Sequence, residues 1–220
     1  MSKPILALNS IRGKSGKDTL IGHIEAEGLK VHRVAFADIL KKELAQVLAF
    51  PGVLRAGDLL RLAHSSDKDT PYACFSVRSV ADCQYADWLW TTYIEDPSDL
   101  DVPRSLRWHL QVYGTEYVRE YLNRPNYWLD AGYLEVLNGA SDPSVDVVVV
   151  TDMRLPNEYT RMSTAGASLI RIVRAWHVPE VDTVPYHQSD IALMAHPFDA
   201  LVVNEWGKPE AMFPQIKRFL

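Results

Sequence analysis

Cysteine is scarce in this sequence, and its two cysteines, Cys74 and Cys83, match neither a metal-binding spacing nor a disulfide framework. We interpret both as reduced thiols, as is usual in the cytosol. The chain also lacks an apolar run long enough to cross a membrane, and its first residues lack the pattern of a secretory signal. Together these features predict a cytoplasmic protein with no membrane partner.

Basic residues are too few for a general nucleic-acid binder. The 23 lysines and arginines are outnumbered by 28 aspartates and glutamates, which leaves a net charge of -5. This balance disfavours a nucleic-acid polymer as partner, although one basic pocket can still hold phosphates. No internal repeat or low-complexity tract is present. At 220 residues we expect one domain, residues 1–220, with an inserted region.

The most informative stretch is Ile5–Thr19, where an apolar run precedes a glycine-bearing turn and a helix start. Ile5–Leu8 predicts a buried parallel strand. The N–H groups at the beginning of a helix have no partner within it, and the helix dipole favours negative charge there. A lysine at this point adds a charge for the β- and γ-phosphates of a nucleotide. The candidate phosphate-binding residues are Gly13, Lys14, Ser15, Gly16, Lys17, Asp18 and Thr19.

This segment departs from the general phosphate-loop pattern G-x-x-x-x-G-K-[ST]. Ile11 stands at the first glycine, and Asp18 stands at the serine or threonine position, with Thr19 one place later. Gly13 is a candidate to supply the missing backbone freedom from a shifted position. An ordinary helix start with Ser15 as N-cap is the alternative. The location directly after an N-terminal apolar strand favours phosphate binding.

A second strand is predicted at Val31–Phe36, so that strand, helix and strand form a right-handed parallel crossover. The following amphipathic helix starts at the carboxyl end of this strand, where open α/β sheets bind ligands. Phe36, Asp38 and Lys41 are therefore candidates for contact with a second substrate. Each residue also has a structural alternative. Phe36 is then a core ring, Asp38 a helix cap and Lys41 a charge on a solvated face.

The region of about 51–140 predicts a helical insertion. Arg104, Arg107, Gln111 and Arg119 are spaced so that several of these side chains can face one cavity, and we take Arg104, Gln111 and Arg119 as the acceptor-binding candidates. Arginine holds a phosphate through two parallel hydrogen bonds, and such a cluster beside aromatic residues suits a nucleoside monophosphate. A solvated helix face explains any single one of them as well.

Val145–Val150 is a continuous β-branched run, typical of a strand buried on both faces. Asp152 follows this strand and resembles the Walker B acid that holds Mg²⁺. The alternative is that Asp152 caps the next helix. Arg154 lies in the same loop beyond the strand end, close to any bound phosphate.

A further strand is predicted at Ser168–Val173, and Arg174 begins a loop-like stretch after it. Long loops at the ligand-binding edge of an α/β sheet are commonly lids. We therefore expect a lid at about 174–190.

Five stretches of the chain resemble the bacteriophage-type deoxynucleoside monophosphate kinases, a branch of the P-loop kinases. They occur in the family's order, and Asp-x-Arg-x-Pro-Asn-Glu is the most specific of them. The family's Gly-Lys-Asp-Thr ending also explains the aspartate after the lysine. The stretches are Ser15–Thr19; Phe36–Asp38 with Lys41; Pro103–Arg104 with Leu110–Gln111, Gly114–Glu116 and Arg119; Thr151–Glu158; and His187–Asp190 with Asp199 and Asn204.

The resemblance implies an α/β fold, namely a P-loop kinase-like three-layer sandwich. Its parts are a five-stranded parallel sheet, a helical acceptor-binding insertion and a lid. The implied reaction moves the γ-phosphoryl group of ATP, with Mg²⁺, to the 5′-phosphate of a deoxynucleoside monophosphate. Because the acceptor is already an anion, alignment and charge neutralisation matter more than a strong base. A phage-encoded chain would act in the host cytoplasm, and a homodimer is compatible with the sequence.

The resemblance also implies roles for individual residues. The expected catalytic residues are Lys17, Asp18, Arg154 and Arg174. The expected metal-site residues are Asp18, Thr19 and Asp152. The expected acceptor-binding residues are Phe36, Asp38, Lys41, Arg104, Gln111, Arg119, Trp128 and His187.

Two alternatives to this function stay open from sequence. One is a P-loop kinase for another small metabolite. The other is a nucleotide-binding module that has lost catalysis, which the departure at Ile11 favours.

Overall fold

The computed structural model describes residues 3–50, 52–183, 186 and 188–220. The chain forms two compact units. The first combines Met1–Phe36 with Leu129–Leu220, and the second is Ala37–Trp128. The organisation expected from sequence, one domain with a helical region at about 51–140, stays a prediction.

The strands and helices follow in chain order. The strands are β1 (Ile5–Asn9), β2 (Val31–Val34), β3 (Pro71–Tyr72), β4 (Arg104–Ser105), β5 (Val147–Val150), β6 (Ser168–Arg174) and β7 (Ala200–Asn204). The α-helices are α1 (Lys17–Ala26), α2 (Phe36–Val47), α3 (Ala56–Ala63), α4 (Gln84–Tyr93), α5 (Leu106–Gln111), α6 (Tyr127–Ser141), α7 (Pro156–Thr164), α8 (Pro179–Asp182), α9 (Gln188–Ile191) and α10 (Met212–Ile216). A π-helix spans Val112–Tyr121, and short 3-10 turns connect several elements. No helix within the described ranges is long and apolar enough to span a bilayer.

The first unit is built on a parallel five-stranded sheet in the order β2-β5-β1-β6-β7. The central strand β1 pairs with β5 and β6, so that Ala7 lies opposite Val150 on one side and Leu169 on the other. The four valines of β5 are all buried, as expected for a strand covered on both faces. The predicted α/β fold with a five-stranded parallel sheet is confirmed.

Helices cover both faces of this sheet because side chains alternate along each strand. Leu6 and Leu8 belong to a core with Met212 of α10, whereas Ala7 belongs to a second core with Met162 of α7. This three-layer arrangement is the one expected for a P-loop kinase-like protein. The carboxyl ends of the parallel strands lie at one edge, which places the segments after β1, β5 and β6 together.

The second unit is helical, with a small antiparallel pair formed by β3 and β4. Its core is rich in aromatic rings, for example Tyr85 against Tyr113 with ring centroids 4.9 Å apart. Gly114 does not end the helical path, because the chain continues there as the π-helix. A Cβ at Gly114 would lie 2.7 Å from Leu40, and the indole of Trp128 donates to the Gly114 carbonyl at 3.0 Å.

Candidate active site

The turn between β1 and α1 has two left-handed residues, Lys14 (φ 56°) and Gly16 (φ 95°). Gly13 does not have a positive φ, so the expectation that it supplies the missing backbone freedom is wrong. The N-cap of α1 is Gly16, not Ser15, and it provides no side-chain cap. Ile11 also keeps a negative φ, so glycine is not required there for its left-handed freedom. The N–H groups at the start of α1 thus face the turn without a capping side chain.

Lys17 lies at the first position of α1 and points back over this turn. Its ammonium Nζ donates to the hydroxyls of Ser10 and Ser15, the latter at 3.5 Å. Burial is the main cause that lowers the Lys17 pKa to about 8, with repulsion from Arg154 second. The carboxylates of Asp18 and Asp152 act in the opposite direction. The structure therefore brings these four predicted charges together at one edge of the sheet.

The candidate metal-site residues differ in their surroundings. Asp18 is mostly exposed, and its carboxylate lies 3.4 Å from the guanidinium of Arg33. Thr19 is also exposed. The Oδ1 atom of Asp152 accepts a hydrogen bond from the backbone N–H of Phe36 at 2.9 Å. Among the described residues, no group of three histidine, cysteine or acidic side chains could hold a metal without further ligands.

The loop after β5 is shaped by Glu158 rather than by Asp152. The buried Glu158 carboxylate accepts the backbone N–H groups of Arg154 at 2.7 Å and Leu155 at 3.0 Å. Glu158, and not Asp152, therefore caps the helix that follows this loop. It binds Arg154 through the backbone only, so the Arg154 side chain takes no part in the cap. The Nη1 atom of Arg154 lies 3.0 Å from Asp190, and 44% of this side chain is exposed.

Arg174, at the end of β6, is nearly buried and paired within its own loop. Its two terminal nitrogens donate to the two carboxylate oxygens of Asp182 at 2.7 and 2.6 Å. Nη1 also donates to the carbonyl of Trp176 at 2.7 Å. The hydrogen bonds from Arg174, followed by that from the backbone N–H of Val178, hold the pKa of Asp182 well below its usual range. Arg174 can therefore bind a phosphate only if the phosphate replaces the Asp182 carboxylate as its partner.

A cavity of about 660 Å³ opens beside the phosphate-binding turn. Besides Lys14–Thr19, its walls include Asn204 and two tryptophans that sequence reasoning missed, Trp176 and Trp206. Their rings meet edge to face with centroids 5.4 Å apart. A signal was available, because each tryptophan follows the end of a strand by two residues at the ligand-binding edge.

The predicted acceptor arginines lie in the second unit. Within the residues that the structure describes, the buried Nε atoms of Arg104 and Arg119 have no hydrogen-bond partner. The guanidinium of Arg104 also lies over the Trp108 ring, 4.7 Å from its centroid. Arg119 belongs to the π-helix, a local geometry often found at functional sites. Gln111, the last residue of α5, is exposed.

The remaining acceptor candidates divide into an ion pair and core residues. Lys41 Nζ lies 2.8 Å from Asp38 Oδ1, so these two pair with each other. Phe36 and Trp128 are only 4% and 2% exposed, and their rings offer almost no surface to a substrate. Both therefore take the core role that was the alternative for Phe36. His187 lies outside the described residues.

The parallel sheet, the lysine-bearing turn and the charged strand ends define a P-loop kinase-like protein. The family model for deoxynucleotide monophosphate kinase matches residues 81–212, which is more than half of the chain. The chain therefore belongs to the deoxynucleotide monophosphate kinase family, and the resemblance found in the sequence is confirmed. No curated protein matches this chain. The match starts after the phosphate-binding turn and does not include the candidate donor site.

Proposed function

We propose that the protein transfers the γ-phosphoryl group of ATP to the 5′-phosphate of a deoxynucleoside monophosphate and releases a deoxynucleoside diphosphate and ADP. The observation that carries this proposal is the position of Lys17. Its ammonium is held over the open start of α1, and the charges of Arg154, Asp18 and Asp152 act on its pKa. A helix N-terminus with a lysine is suited to the β- and γ-phosphates of a nucleotide.

The cavity beside the turn supports a nucleotide donor. Polyphosphate on Lys17 would leave the nucleoside close to the wall formed by Trp176 and Trp206, where an aromatic ring offers a stacking surface. The buried Oδ1 atom of Asn204 has no partner among the described residues, and Asn204 lines the same cavity. An exocyclic amino group, such as that of adenine, is a suitable donor to this oxygen.

The carboxylates present fit a magnesium ion that arrives with the nucleotide. Mg²⁺ usually keeps several waters and takes one or two carboxylates besides the substrate phosphates. Asp18, Thr19 and Asp152 would hold it, either directly or through its water shell. When bound, the ion supplies positive charge to the β- and γ-phosphates.

The unpaired arginine nitrogens support an acceptor that carries a phosphate. A buried N–H without an acceptor is unfavourable, and a phosphate oxygen would satisfy it with a charge-assisted bond. Arg104 and Arg119 each present such a nitrogen. Gln111 and the Asp38–Lys41 pair remain the proposed polar contacts to the acceptor.

The chemistry assigned to the side chains is charge neutralisation. An oxygen of the acceptor phosphate forms a bond to the γ-phosphorus, and the bond to the bridging oxygen breaks, so that ADP leaves with its electron pair. Lys17 would neutralise charge on the donor phosphates, and Arg154 would neutralise charge on the transferring group. No side chain has to remove a proton, because the attacking oxygen is already ionised.

The test is coupled ADP release with ATP and Mg²⁺ against dAMP, dGMP, dCMP, dTMP and their ribose counterparts. We expect turnover with at least one deoxynucleotide, and Lys17→Ala to reduce it at least about 100-fold with the fold retained. Lys30→Ala, which removes a lysine at an exposed position before β2, is the matched control. ATP binding without ADP release for any acceptor would indicate a non-catalytic module. Release with a different phosphorylated metabolite would indicate another kinase.

A further inference from the structure

The loop after β6 presents carboxylates to the cations of the phosphate-binding turn. Asp182 Oδ1 lies 3.9 Å from Nε of Arg12, and Glu180 lies 3.5 Å from Nζ of Lys14. Val181, between these acids, is 3.6 Å from the position of a Cβ on Gly13. Three consecutive residues of α8 therefore lie beside three consecutive residues of the turn.

Asp182 is the centre of this contact. Besides its ion pair with Arg12, its carboxylate accepts hydrogen bonds from both terminal nitrogens of Arg174. It also accepts one from the backbone N–H of Val178 at 2.7 Å. The ring Nδ1 of His177 lies 3.2 Å from Oδ2. Both Asp182 and Arg12 are 17% exposed in their side chains, so the ion pair is shielded from solvent.

Arg12 is held at this place by two further features. Its guanidinium lies 3.6 Å from the centroid of the Tyr186 ring. It also belongs to the turn itself, three residues after the end of β1. Arg174 approaches the same turn from β6, since its Nε donates to the Gly13 carbonyl at 3.4 Å. The two guanidinium groups thus converge on one carboxylate beside the proposed donor phosphates.

Carboxylate and phosphate are interchangeable partners for such a pair. A guanidinium can donate two parallel hydrogen bonds to either anion. A polyphosphate carries more negative charge than one aspartate. We infer that Arg12 and Arg174 form a phosphoryl-binding site for the donor nucleotide, and that the Asp182 carboxylate competes with the nucleotide for it. This inference rests on the proposed function, and it adds Arg12 to the donor site and makes Asp182 an internal competitor.

The first experiment measures the binding of inorganic tripolyphosphate by calorimetry. Asp182→Asn keeps the shape of the side chain and removes its charge, so we expect tighter binding by about threefold to thirtyfold. Arg12→Ala should bind about tenfold more weakly, and it should reduce the gain from Asp182→Asn in the double variant. Glu25→Gln, which removes one exposed acid from α1, is the charge control and should stay within about twofold.

Unchanged or weaker binding by Asp182→Asn would overturn the inference, since Asp182 would then position the arginines rather than compete for the anion. Wild-type binding of ATP and tripolyphosphate that is lost in Lys17→Ala would show that the donor site itself stands. If the wild-type protein binds neither, the donor site and this inference fail together.

A second measurement needs no variant and covers the case in which Asp182→Asn does not fold. The Val178 N–H donates to Asp182, so displacement of the carboxylate releases this amide. Hydrogen exchange at Val178 should become faster at saturating tripolyphosphate. Slower or unchanged exchange, with binding confirmed by calorimetry, would contradict the inference.

Discussion

The side-chain Nδ2 of Asn204 donates a hydrogen bond to the carbonyl oxygen of Ser15 at 3.0 Å. Asn204 ends β7 and Ser15 lies in the turn before α1, and both are buried. Gly16 follows directly, and its missing side chain leaves the space that Asn204 occupies. The shape of the phosphate-binding turn therefore depends on a residue from the far end of the chain.

This relationship predicts that Gly16→Ala abolishes ATP binding. The residue has a φ of 95°, and a Cβ there would overlap Nδ2 of Asn204. The turn must move, so that the start of α1 no longer faces the phosphates. Calorimetry with ATP measures the loss, and circular dichroism shows whether the fold is kept.

Gly22→Ala is the matched control on the same helix. A Cβ at Gly22 meets nothing within 4 Å, and alanine is favoured over glycine inside a helix by up to about 1 kcal/mol. We expect unchanged ATP binding and equal or higher stability. Equal ATP affinity in both variants would contradict the role given to Gly16.

The second prediction concerns pH and Lys17. Burial lowers the pKa of its ammonium to about 8, so the free protein loses this charge as the pH rises through that value. ATP affinity should therefore be highest below about pH 8 and fall by up to about tenfold per unit above it. Calorimetry over about pH 7.5–9.5 measures the change. Lys17→Arg, which stays charged, should show no such fall, and a constant wild-type affinity would exclude the ammonium as a donor contact.

The third prediction separates Arg154 from other surface arginines. If Arg154 neutralises the transferring group, Arg154→Ala should lower kcat by about 10³-fold and raise KM far less. Arg161→Ala is the control, because it removes an arginine from α7 whose partner is Asp130 at 2.8 Å. Steady-state kinetics with ATP and the preferred acceptor give both constants. An effect confined to KM would place Arg154 in uniform substrate binding.

The fourth prediction concerns the acceptor. Arg104→Ala and Arg119→Ala should each raise the KM for the deoxynucleotide by about tenfold to 100-fold, since each removes a charge-assisted bond. Arg107→Ala is the control, because Arg107 lies on α5 and is paired with Asp69. Its KM should stay near the wild-type value. Equal changes in all three variants would show a general charge effect and not a phosphate site.

The fifth prediction is a loss of stability in mild acid that depends on His109. Its Nε2 lies 2.8 Å from the Phe75 carbonyl and its Nδ1 lies 3.1 Å from the Tyr85 hydroxyl, which assigns the neutral ring with the proton on Nε2. Burial lowers the His109 pKa to about 4. In the unfolded chain the ring is protonated below about pH 6.5, whereas in the folded protein it stays neutral down to about pH 4. The stability that the neutral His109 contributes is therefore complete above about pH 6.5 and decreases as the pH falls toward 4.

Urea denaturation at pH 7 and pH 5 measures this contribution. The free energy of unfolding should fall by about 2 kcal/mol more in the wild-type protein than in His109→Gln, whose amide does not titrate in this range. The same decrease in both proteins would show that other groups cause the acid sensitivity.

The fold was largely predictable because its strands carry strong local signals. The valines before Asp152 leave little choice other than a strand buried on both faces, and β5 occupies Val147–Val150. The parallel arrangement then places the ends of β1 and β5 at one edge, which is why Lys17, Asp152 and Arg154 could be expected to meet.

What could not be predicted depends on partners distant in sequence. Gly114 should interrupt a helix by its own preference, but Leu40 and Trp128 pack against it and the helical path continues. A family motif likewise cannot tell whether the ring of Phe36 faces a substrate or the core. Strand ends place Trp176 and Trp206 at the ligand-binding edge, but the contact between their rings depends on the neighbouring positions of β6 and β7 in the sheet.

The most direct test of the account follows phosphorus through the reaction. Phosphorus-31 NMR of the protein with ATP, Mg²⁺ and the accepted deoxynucleotide should show the γ-phosphorus signal of ATP replaced by the β-phosphorus signal of a deoxynucleoside diphosphate. The deoxynucleotide signal should decrease in equal amount. Conversion of ATP to ADP and inorganic phosphate, with the deoxynucleotide unchanged, would contradict the proposed transfer.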